Sequence, residues 1–115
     1  MSRNNCKDLT ISRKTSKSFQ LNFKKDHNPV DITGWTVYFT VKDKMEETDN
    51  NAKIKKDITS HLDATGGRTL IELSPVDTDL KGNMYYDIKY KDPIGNIGIL
   101  FYWMIKFRET VTTRG

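Results

Sequence analysis

Few residues in this chain have the type and spacing to do chemistry. Cys6 is the lone thiol, and a nucleophilic cysteine needs a base to draw off its proton, yet no histidine lies near it in sequence. The histidines, His27 and His61, have neither the close helical spacing nor the cysteine partners of a zinc site. Both fall in predicted turns or strand ends, where surface imidazoles are ordinary. Asp26 and Asp31 flank one turn, and Asp77 and Asp79 another. Paired carboxylates act as general acid and base or bind calcium, but aspartate also populates turns by bonding its own backbone, and that accounts for both pairs. Gly66-Gly67 lacks the strand-then-helix setting of a phosphate cradle and reads as a hairpin corner. The expectation is a protein with no catalytic residues, no metal and no cofactor.

The elements that carry these residues are short and β-like. At 115 residues the chain makes one domain, 1–115, with a single core and a loose tail at about 112–115. Its 36% hydrophobic and 10% aromatic content is too high for a disordered chain, while 30% charge gives a well-solvated exterior. A single cysteine rules out an internal disulfide framework and suits a reducing compartment. The polar N-terminus has no apolar signal region, and no apolar run approaches the ~20 residues of a membrane-spanning helix, so a soluble protein is expected. Net charge is +4, with local excess at Arg13, Lys14, Lys17 and at Lys53, Lys55, Lys56. These read as solvated strand ends and loops, the alternative being a nucleic-acid-binding face.

Period-two alternation recurs along the chain, and no segment keeps a helical period. Leu9 and Ile11 alternate with polar neighbours, as do Phe19, Leu21 and Phe23. Lys25 to Pro29 is a turn. In the cleanest strand, Trp35 to Lys42, Trp35, Val37, Phe39 and Val41 face one way and Thr36, Tyr38, Thr40 and Lys42 the other. Met45 to Asn51 is an acidic loop with room for one helical turn. Lys53 to Ile58 reads as an edge strand protected by its charges, and Thr69 to Leu73 as the next strand, ended by Ser74-Pro75. Asp77-Thr78 can cap the following turn through side-chain bonds to backbone, and Gly82 can take a positive φ before the strand Asn83 to Tyr90.

The last strand, Ile97 to Phe107, is the odd one. Ile97, Ile99, Phe101, Trp103, Ile105 and Phe107 form one apolar stripe, which is expected to face the core. The opposite stripe, Gly98, Leu100, Tyr102, Met104 and Lys106, is also apolar until its end. A surface strand of a small sandwich needs only one apolar face. About seven short strands in all give an antiparallel two-sheet sandwich, with a small β-barrel as the alternative.

Two segments resemble a known family. Asp31-Ile32-Thr33-Gly34-Trp35-Thr36-Val37-Tyr38-Phe39-Thr40-Val41-Lys42 resembles the "D-hydrophobic-T-G-aromatic-x-hydrophobic-x-F-x-V-K" segment of immunoglobulin-like domains in tailed-phage tail and baseplate proteins. Leu73 to Ile88 is similar to that group's "L-S-x-x-D-T-x-x-L-x-x-G-x-Y-x-Y-D-I" run. The likeness, to the N-terminal domain of upper baseplate proteins, covers about Leu9 to Thr112. Its motifs make a fold rather than a catalytic site. Met84 stands where the pattern usually has tyrosine, so a tyrosine hydroxyl tying down the corner before that strand is not expected. The resemblance implies an all-β, immunoglobulin-like sandwich and a non-enzymatic structural subunit of a phage or prophage tail, assembled in the host cytoplasm.

In such a sandwich the strands from Trp35, Asn83 and Ile97 share a sheet. Its outward positions are then Tyr38, Tyr85, Leu100, Tyr102 and Met104, interrupted by Asp87 and Lys89. Tyrosine and methionine are enriched in interface cores, so this face is the expected contact surface for other tail or baseplate proteins or for a second copy. The competing expectation is that the Met45 to Asn51 loop or the N-terminal arm covers it. Another function class also fits a β face with aromatics beside lysines: a module that stacks glycans or single-stranded bases.

Overall fold

A computed structural model describes residues 6–110; the tail and the Val111-Thr112 end of the resemblance lie outside them. The strands are β1 (Leu9–Ser12), β2 (Lys17–Asn22), β3 (Lys24–Lys25), β4 (Asn28–Pro29), β5 (Thr36–Lys42), β6 (Ile54–Ile58), β7 (Arg68–Leu73), β8 (Gly82–Lys91) and β9 (Ile97–Arg108). One sheet has the order β1-β9-β8-β5-β6, with β1 parallel to β9; the second pairs β2 with β7. Among the described residues no hydrogen-bonded ladder joins the two sheets, which form a sandwich rather than the alternative of a closed barrel. The chain is an all-β, immunoglobulin-like sandwich.

Period-two patterning builds the core. Val37, Phe39 and Val41 of β5 are fully buried and meet Met84, Tyr86 and Ile88 of β8, with Ile71 and Leu73 of β7 opposing them from the other sheet. Trp35 stacks on Tyr90 at 5.0 Å between centroids, and Phe23 meets both rings edge-on.

The segment read as a plain turn, Lys25 to Pro29, is a small hairpin of β3 and β4. Asp26 and His27 both take positive φ, 53° and 69°, which is what a two-residue hairpin turn of matching twist demands. The Met45 to Asn51 segment holds its one helical turn, a 3-10 helix at Asp49–Asn51.

The corner before β8 is held by threonine rather than tyrosine. Thr78 is fully buried; its hydroxyl donates to the Thr15 carbonyl at 2.7 Å and accepts the Thr15 N–H at 2.9 Å. Asp77 accepts the Ser74 N–H at 2.8 Å, and Gly82 has φ 84°, as its position requires. The buried tyrosine hydroxyl is instead that of Tyr86, which donates to the Lys7 carbonyl at 2.6 Å and so pins the N-terminal arm against β8.

Candidate protein-interaction face

The outer face of the five-stranded sheet depends on how β9 is threaded, and here the structure corrects the simple alternation. Ile88 of β8 pairs with Phe101 but Lys89 pairs with Ile99, so Leu100 is the extra residue of a β-bulge. One inserted residue reverses the parity of everything on its far side. Ile97 and Ile99, expected in the core, therefore lie outside, 64% and 39% exposed. Gly98 turns inward beneath Tyr90, whose ring atoms stand 2.5 Å from where a Cβ would be. Leu100, expected on the outer face, packs against the core with Phe101. Beyond the bulge Ile105 and Phe107 are buried as expected.

Trp103 is a second departure. Its ladder position opposite Tyr86 aims it at the core, yet its φ of 147° swings it out. The indole is 40% exposed and lies edge-on to Tyr85 and to Tyr102, at 6.5 Å from each.

Of the residues expected to share a contact surface, Tyr85, Tyr102 and Met104 stand together: Met104 pairs directly with Tyr85, and Tyr102 with Asp87. Tyr38 is set apart in a polar depression with Lys55, Asp57, Lys89 and Lys91. Leu100 has left the face. The alternation missed Trp103, Ile97 and Ile99; Gly98, an isolated glycine inside a strand, is the sequence signal that marks such a bulge.

The acidic loop after β5 borders this face. Lys42 donates to the Glu47 carbonyl at 2.8 Å and pairs with Asp49 at 2.8 Å, drawing the loop onto the sheet. Met45 then lines a depression with Thr40, Asp87, Ile99, Tyr102 and Trp103. The loop thus borders the Tyr85-Tyr102-Trp103 cluster through Met45, with the two tyrosines half-buried and Trp103 still exposed. Asp87 lies among these rings, and burial pushes its carboxyl above the ordinary range, against the opposing pull of Lys89 and Lys42.

The residues considered for chemistry are dispersed. Cys6 is exposed. His27 sits in the β3–β4 turn. His61 is not a loose surface ring: it lies 2.8 Å from the Thr69 hydroxyl and 2.8 Å from the Trp35 carbonyl, so it ties the loop before β7 to the core. Among the described residues no three acidic, cysteine or histidine side chains gather as a metal site. Ion pairs engage part of each basic cluster: Arg13 meets Asp79 and Glu109 at 2.9 and 3.0 Å, Lys53 meets Asp43 at 3.4 Å, and Lys56 meets Asp77 at 2.9 Å. Among the described residues no helix is long and apolar enough to cross a membrane.

No protein-family model matches the chain, and no curated protein sequence does. Several solved structures are similar. The N-terminal domain of ORF48 of phage TP901-1 superposes with a TM-score of 0.52 at 11% identity, over 89% of this chain and 85% of that one. Murine CRIg gives 0.43 at 13%, over 90% and 92%. A structure from work on the multimeric cell-adhesive interactions of voltage-gated sodium channel β subunits gives 0.48 at 10%, over 94% of each. At such identities the likeness speaks for the fold, one that a phage protein shares.

Proposed function

We propose that this chain is a non-enzymatic structural subunit of a bacteriophage or prophage tail or baseplate. It works by protein–protein contact, and its partners are other tail or baseplate proteins or further copies of itself. The observation that carries this reading is the Tyr85-Tyr102-Trp103 cluster on the outer sheet face, Trp103 exposed and the two tyrosines half-buried, with Met104 and the exposed Ile99 beside it. Aromatic and methionine side chains in one patch are what the centre of a protein interface is made of. The two motif segments and the fold shared with a phage protein support the choice of a phage assembly. Synthesis and assembly then take place in the bacterial cytoplasm, and the finished location is the virion.

The test is direct. Particles released from the bacterium that carries this sequence are purified, labelled with antibody to the chain and imaged. Gold at the tail is the expected result; particles that lack the chain by mass spectrometry overturn the reading. A glycan-binding role draws on the same rings with Asp87 and Thr40 beside them as hydrogen-bonding groups; a glycan array that stays silent removes it.

A further inference from the structure

A different part of the sandwich is unfinished. Among the described residues the second sheet has only β2 and β7. The Phe23 N–H donates to the Gly67 carbonyl at 2.7 Å, and that bond fixes the phase of the β2–β7 ladder. Leu21 and Phe19 then exchange backbone bonds with Thr69 and Ile71, while the N–H and C=O groups of Ser18, Gln20 and Asn22 point away from β7. No described residue bonds to these outward groups.

The edges of β7 and β6 are protected in the usual ways. β7 exchanges backbone bonds with Asp63 at Arg68, 2.9 and 3.0 Å long, and carries Glu72. β6 carries Lys53, Lys55 and Asp57 on or beside it. On β2 the charges stand only at the ends, at Lys17 and just beyond at Lys24, and the residues whose backbone faces outward, Ser18, Gln20 and Asn22, are uncharged.

A cleft of about 520 Å³ opens along this same edge. Phe19 and Leu21 of β2 form one wall, and Leu9, Ile88, Leu100 and Phe101 of the larger sheet form the other. The β9 bulge is what turned Leu100 into it. Among the described residues no carboxylate lines the cleft, whereas the Lys7 ammonium stands 5.7 Å from the Phe101 ring and that of Lys17 stands 5.5 Å from Phe19.

We propose that the open edge of β2 takes an extended segment of a partner polypeptide as an added strand, apolar at alternate positions and acidic at its ends. The occupant's chemistry follows from the site. Outward N–H and C=O groups on every second residue accept another backbone and little else. Residues of the incoming strand opposite Phe19 and Leu21 point into the apolar cleft, and the two lysines favour carboxylates at the flanks. A strand of about five residues, roughly 17 Å, spans the edge. This inference does not depend on the outer face or on the phage assignment.

The experiment selects short random peptides on the folded full-length chain and follows amide exchange of the chain with and without the best binder. Enriched peptides are expected to alternate apolar residues and carry Asp or Glu at an end, and to slow exchange at Ser18, Gln20 and Asn22 by at least about tenfold. N-methylation of alternate peptide nitrogens should abolish binding to the unmodified chain, which needs no folded variant. Gln20→Pro should weaken binding at least about tenfold, since it removes an outward N–H that β7 does not use. No enrichment, peptides without alternation, or protection elsewhere overturns the proposal. So does a dimer of the chain alone that protects these amides, because the occupant is then a second copy.

Discussion

Trp103 and Tyr86 stand opposite one another in the β8–β9 ladder, yet Tyr86 is 4% exposed and Trp103 is 40% exposed. Neighbours in register normally share a face; the positive φ of Trp103, 147°, breaks the rule. For a bulky residue such a backbone costs about 1–3 kcal/mol, and it persists only where the surroundings over-determine it. Here it exchanges a core position for a place beside Tyr85 and Tyr102.

The two tryptophans should therefore respond very differently to substitution. Trp35 stacks on Tyr90 and meets Phe23, so Trp35→Ala should cost about 3 kcal/mol or more. In Trp103→Gly, relief of the backbone offsets the lost ring contacts, and the cost should stay below about 1 kcal/mol. Urea unfolding of the pair decides the matter; equal losses would mean that Trp103 belongs to the core.

The sandwich and its core were legible because β5, β7 and β8 obey strict alternation, with one wholly buried set on each strand. What the alternation misplaced lies on β9 before its bulge. There the chain is apolar on both faces, so hydrophobicity gives no phase, and only the register against Ile88 and Lys89 shows that Leu100 is inserted. Tyr85, Tyr102 and Met104 were assigned to the outer face because they sit where parity survives. Trp103 was not, because no local pattern announces a positive φ at tryptophan. The open edge of β2 depends on which strand pairs with which, and that is a property of topology.

Tyr102→Glu places a charge in the aromatic cluster without touching the core. Light scattering of the wild-type chain should show association that this variant loses, while its circular dichroism stays the same. Interfaces of this kind bury on the order of 1,000 Å² or more, and a carboxylate at the centre is unfavourable there. Monomers for both proteins across the concentration range would remove the self-association part of the reading and leave only a foreign partner.

The hydroxyl of Tyr86 anchors Lys7, and its removal should loosen the arm. Tyr86→Phe leaves the Lys7 carbonyl without that bond, for a loss of about 1 kcal/mol, and should speed amide exchange at Lys7, whose N–H bonds to the Tyr102 carbonyl. Burial, with smaller contributions from Asp8 and Cys6, pushes the Tyr86 phenol up to about 12. The folded state thus favours the protonated phenol. Its stabilisation is complete below the ordinary tyrosine value near 10 and is lost as pH rises from there through about 12. Wild type should lose more stability than Tyr86→Phe across that window, as measured by denaturant midpoints.

Asp87 has the same sign at the acid end of the scale. Burial raises its carboxyl above the ordinary 3.8, although Lys89 and Lys42 oppose the shift. The folded state therefore favours the neutral acid, so Asp87 supports the fold below 3.8 and ceases to as pH rises through its raised value. Asp63 and Asp49 behave oppositely. The Gly66 N–H and then Arg68 hold Asp63 low, and the bond from Lys42 holds Asp49 low, so their support is present above 3.8 and fades as pH falls. Asp87→Asn keeps the shape and removes the buried charge. At pH 7 its urea midpoint should exceed that of wild type, and the gap should close as pH drops below the raised Asp87 value. A midpoint below that of wild type at pH 7 would show that the carboxylate has a partner holding it in place.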